Sequence, residues 1–156
     1  MDTEKLTPTL TNKRIIGLVV FSFLVTFVAA RLIVYLVLGH LMPNLFLTIR
    51  GVHIHHFTYG VVVLVIVGLY LLLRRPNVDS DDFRWLVLIY GVGLGLTFDE
   101  FGMWIRLQDD YWVRQSYDAI IIVVLILLNI AYYHFVGKML NVLFWKQIKR
   151  IYALFK

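Results

Sequence analysis

Arg50 to Leu73 reads RGVHIHHFTYGVVVLVIVGLYLLL. From Val52 to Leu73 it holds no Lys, Arg, Asp or Glu. A helix needs about 20 apolar residues to cross the ~30 Å hydrocarbon layer, so this stretch reads as a transmembrane helix. Three histidines, His53, His55 and His56, stand at its mouth. Imidazoles grouped there require a reason beyond membrane insertion.

Composition agrees with a membrane class. Of 156 residues, 60% are hydrophobic and 16% charged, whereas a soluble domain is about a quarter charged. There is no cysteine, which excludes disulfides, thiolate metal sites and thiol redox chemistry. The sequence pI of about 9.6 is read as cytosolic basic anchors, not as a nucleic-acid surface.

Three further stretches are candidate spans. Residues 15–38 carry no charge apart from Arg31. Lys13 and Arg14 with Val28-Ala29-Ala30 imitate a signal peptide, but the apolar run resumes after Arg31, so a span is expected instead. Residues 119–137 are a further apolar run, with Asp118 at its start. Residues 85–105 reach span length only by carrying Asp99 and Glu100 inside the bilayer. The expected fold is all-α: a four-helix transmembrane bundle with spans at 15–38, 52–73, 85–105 and 118–137. Residues 138–156 should form a basic amphipathic helix in the membrane interface. Leu140, Phe144, Trp145 and Ile148 fall on one side of it, and Lys138, Lys146, Lys149 and Arg150 on the other.

Lys and Arg bias sets the orientation. One end of the four spans and the tail collects eleven of these residues, and the other end three, Arg50, Arg106 and Arg114. Both termini are expected in the cytoplasm, in a multi-pass protein of the cytoplasmic membrane. The histidines then open the second span at its outer end. Asp99 lies six residues short of Ile105, about 9 Å at ~1.5 Å per residue. Arg31 lies at a similar depth, and Asp118 opens the fourth span. Four helices thus bring ionisable groups to one layer.

Helical spacing assigns faces, because residues three and four apart share one. His53 and His56 can co-ligate an ion if both are helical; if residues 53–55 are extended, His53 and His55 share a side instead. Gly60, Leu64 and Gly68 continue the His56 row. Gly91, Gly95, Asp99 and Gly102 form a small-residue stripe that lets a neighbouring helix approach closely, so Asp99 should face protein. Ionised side chains at the bilayer centre cost at least ~2.5–3.5 kcal/mol each, so they pair or line a site.

H-x-H-H with a Gly four residues on, then L-T-F-D-E-F-x-x-W, D-D-Y-W and S-x-D-A, resembles an uncharacterised family of small prokaryotic multi-pass membrane proteins over residues 50–122. The resemblance implies that His53, His55, His56, Asp99, Glu100, Asp110, Tyr111, Trp112 and Asp118 belong to one constellation. It implies no activity. Arg106 stands where the pattern leads one to expect a His.

Two functional expectations compete. In the first, His53, His55, His56, Asp99 and Asp118 supply the ligands of a divalent metal. Zn²⁺ is the commonest fit to a His and carboxylate set, with Fe²⁺ or Mn²⁺ as alternatives. Glu100 is then the general base, and Arg31 or Arg106 holds an anionic head group or oxyanion. A membrane lipid or lipid-linked ester is the substrate. No H-E-x-x-H signature supports this. In the second, Arg31 pairs with Asp99 or Glu100 in an ion-pair lock, and the protein is structural or sensory. An ion or proton pathway comes third. It needs a homo-oligomer, and no polar path reaches the cytosolic side.

Overall fold

The computed structural model describes residues 10–43, 47–50, 52–107 and 112–154. Helix α1 runs Asn12–Leu38, α2 His56–Arg74, α3 Asp81–Asp99, α4 Phe101–Arg106 and α5 Arg114–Leu154. A two-residue hairpin, β1 (Thr48–Ile49) and β2 (Val52–His53), precedes α2, with Thr48 opposite His53. Among the described residues, three helices are long and apolar enough to cross a membrane: Asn12–Leu38, His56–Arg74 and Arg114–Tyr133.

Local chemistry explains the boundaries. Thr11 caps α1 by accepting from the Arg14 N–H. α2 stops at Arg75, which turns left-handed at φ 46 just before Pro76. α3 starts where the Ser80 hydroxyl accepts from the Phe83 N–H, with Asp81 and Asp82 in its first turn. Such acids favour the positive end of the helix dipole. The Leu10 N–H binds Asp79 Oδ1 at 3.0 Å and ties the start of α1 to the α2–α3 turn.

α3 is the central element, packed on α1 and on α2; α5 lies against α1, α3 and α4. The glycines of Gly91-Val92-Gly93-Leu94-Gly95 make this possible. A Cβ on Gly95 would sit 2.7 Å from Thr26 Cβ and 2.8 Å from Phe23 O of α1. A Cβ on Gly60 would sit 2.6 Å from Thr97 N and 2.7 Å from Gly93 O of α3. Gly91 and Gly95 therefore meet α1, and Gly93 with Gly60 brings α2 onto the other flank. Phe23 is fully buried in the α1–α3 seam and meets Phe98 edge-on, 6.5 Å between centroids.

Three expectations change. The stretch 85–105 is two helices, because Glu100 leaves helical geometry (φ −99, ψ 13) between α3 and α4. Successive helical side chains point ~100° apart, so an unbroken helix would not aim both adjacent carboxylates at one spot. The second helix begins at His56, not Val52: residues 52–53 pair with β1 and His55 is extended (φ −68, ψ 143). His53 and His56 therefore do not share a helix face. Finally, α5 continues through the expected junction at 137 and is instead interrupted at Tyr132 (φ −120, ψ 20). The side chains of residues 147–154 lie outside the described set, and Phe144 and Trp145 before them are exposed.

Candidate functional site: a buried polar network

The C-terminal ends of α1 and α3 and the N-terminal end of α2 meet at one level. There Arg31 from α1, His55 just before α2, His56 from its first turn, and Asp99 and Glu100 from the α3–α4 junction form one network. Asp99 and Glu100 are both 0% exposed, and the residue Arg31 is 8% exposed.

Asp99 is bound from two sides. Arg31 Nε donates to its Oδ1, and an Arg31 Nη2 donates to the Asp99 backbone oxygen. His56 Nε2 lies 2.6 Å from Oδ2. Glu100 is bound from α2. His55 Nδ1 lies 3.2 Å from Oε1, His56 Nδ1 lies 3.4 Å from the same oxygen, and the Phe57 N–H donates to Oε2 at 2.9 Å. Every carboxylate oxygen of the pair thus has a partner.

His56 has an unusual place in this arrangement. Its two ring nitrogens face different carboxylates, Nε2 toward Asp99 and Nδ1 toward Glu100.

Arg31 is further enclosed by aromatic faces. Its guanidinium carbon lies 5.6 Å from the Phe27 centroid, 5.9 Å from Trp112 and 5.1 Å from Tyr117, all within cation–π range. Phe27 sits one turn before Arg31, so helical spacing alone could have found it. Trp112 ends the D-D-Y-W motif, and Tyr117 is the variable residue of S-x-D-A. Ser116, in the same motif, is fully buried, and its Oγ accepts from the Gly102 N–H at 2.9 Å.

Other expected residues are placed apart from the network. Asp118 pairs with Arg114 at 3.3 Å on an exposed turn of α5. Arg106 is exposed in the last turn of α4. The His53 side chain, Asp110 and Tyr111 lie outside the described residues. Among the described residues, no group of three or more His, Asp or Glu has the arrangement to hold a metal ion.

No family model matches the sequence, and neither a curated protein nor a solved structure is significantly similar to it.

Proposed function

We propose that the chain is a four-span protein of the cytoplasmic membrane whose buried network is an intramembrane ion-pair lock. It holds three helices in one arrangement and carries no reaction. The observation that supports this is saturation: all four carboxylate oxygens of Asp99 and Glu100 are partnered by Arg31, His55, His56 or the Phe57 N–H. On this reading α3 is the fourth span. Its 19 residues extend about 28 Å at ~1.5 Å per residue, and α1 and α2 flank it. Both termini face the cytoplasm, from the bias of basic residues, so the lock lies toward the outer face.

A metal-dependent lipid hydrolase is the second reading. What favours it is the meeting of two histidines and two carboxylates, all ligand types for Zn²⁺, Fe²⁺ or Mn²⁺. It requires His56 to turn away from at least one carboxylate. Elemental analysis of detergent-purified protein after loading with each metal separates the two readings. The lock predicts no stoichiometric metal in the wild type. Near-stoichiometric metal, lost in His56→Ala but retained in Glu100→Gln, overturns the lock in favour of a catalytic centre with Glu100 as base.

A further inference from the structure

α1 and α2 both rest on α3, and a cleft of about 380 Å³ lies between them beside the lock. Its walls are Ala29, Ala30 and Ile33 of α1 and Tyr59 of α2; Leu96 of α3 also lines it, and His56 is its link to the network. Leu47, just before the hairpin, lines it too. The α1 lining extends from Thr26 to Val34, about 12 Å along the axis at ~1.5 Å per residue. Two features of the sequence create this space. The glycines of α3 draw each flanking helix onto α3, and the Ala29-Ala30 pair leaves the α1 wall without bulk.

We propose that this cleft binds one hydrocarbon chain of a phospholipid from the surrounding leaflet. The inference rests on the reading above that α1 and α2 cross the membrane. The lining itself is open at its mouth: Ile33 of α1 is 42% exposed, Tyr59 of α2 38% and Leu47 49%. In a spanning bundle that mouth lies in hydrocarbon, so the cleft opens onto acyl chains and not onto water. The lining offers few polar partners, so ordered water would be poorly held there. An empty cleft would forfeit the dispersion contacts of every lining atom. The volume falls within the ~300–1,000 Å³ range of small-ligand sites. The neighbouring lipid chain is the one occupant always present at that mouth. Its tail would then lie against the helix pair that the lock holds in place.

The test uses full-length protein in vesicles of phosphatidylglycerol doped with a phosphatidylglycerol carrying a diazirine on one acyl chain. The sample is washed in detergent, irradiated and mapped by peptide mass spectrometry. The expected result is adducts that form even after washing, at no more than one per chain, concentrated at Ala29, Ala30, Ile33, Tyr59 and Leu96. Ala30→Phe, which fills the cleft, should lower that yield at least tenfold. Ile66→Phe on the outer face of α2 should leave it unchanged. Wild-type labelling that spreads evenly over Val28, Leu32, Val62 and Ile66 in unwashed vesicles, and is lost when the wash precedes irradiation, overturns the site while leaving the membrane reading intact. Absence of adducts on these outer faces before washing instead overturns the membrane reading. If Ala30→Phe fails to fold, the wild-type map and its persistence through washing still decide the matter.

Discussion

Replacing Asp99 by Asn tests the lock most directly. The side chain keeps its size and one acceptor oxygen, but its charge is gone and an amide NH₂ takes the place of one oxygen. That NH₂ must face either Arg31 Nε or His56 Nε2. Asp99 is fully buried, and the Arg31 side chain is only 10% exposed, so water does not replace the lost partner. Removing one member of a buried ion pair costs about 3–5 kcal/mol, more than two powers of ten in the folding equilibrium constant. An ordinary interhelical hydrogen bond in a membrane bundle averages only ~0.6 kcal/mol, so the two outcomes are well separated. Arg31→Met should destabilise by a similar amount, since it strands the carboxylate. The double variant should recover much of the loss, because neither charge is then left alone, with a coupling of about 2 kcal/mol or more, toward the upper end for contacting residues. Unfolding in mixed micelles by titration with sodium dodecyl sulfate, followed by far-ultraviolet circular dichroism, measures all four proteins. Single-variant losses near 0.6 kcal/mol that simply add in the double variant would refute the lock.

Three other outcomes follow from particular contacts. Glu100→Gln should cost less than Glu100→Leu, because Gln still offers an oxygen to the Phe57 N–H; a buried amide left without a partner costs about 1–3 kcal/mol. Equal losses in the same titration would mean that this bond contributes nothing. Gly60→Ala should destabilise by about 1–3 kcal/mol because its Cβ meets the α3 backbone, whereas Gly68→Ala, with nothing within 4 Å of its Cβ, should be neutral or stabilising by up to ~1 kcal/mol. A reversed order of the two would contradict the α2–α3 packing. Because the chain has no cysteine, Ile49→Cys and Asn77→Cys report topology cleanly: a membrane-impermeant maleimide added outside intact cells should label the first and not the second. Labelling of Asn77→Cys alone would invert the orientation.

Much was legible in the sequence because membrane chemistry is local. A run without charge long enough to cross hydrocarbon identifies itself, and so α1, α2 and the first part of α5 were placed from composition. The expectation that Asp99 faces protein came from a four-residue spacing of small residues, and the close approach of α1 at Gly95 is that same periodicity expressed as contact. The meeting of His55, His56, Asp99 and Arg31 could be anticipated from their shared depth, since depth is counted in residues along each helix.

Which atoms meet could not be counted in this way. The break at Glu100 carries no proline or glycine of its own; it is the packed arrangement that turns two consecutive carboxylates toward α2. The start of α2 at His56 depends on the hairpin to β1, which removes His53 from the helical face. Asp118 fits the depth rule yet lies on an exposed turn with Arg114, because rotation of a helix about its axis is set by its neighbours and not by its own sequence. The aromatic enclosure of Arg31 likewise joins α1 to the start of α5, residues far apart in the chain. The sequence alone determined which runs are long and apolar enough to cross a membrane and how far along each helix its charged residues lie, since both follow from hydrophobicity and a fixed rise per residue. Tertiary structure decided the partners of those residues, because hydrogen bonds need both distance and direction, and direction exists only once the helices have packed.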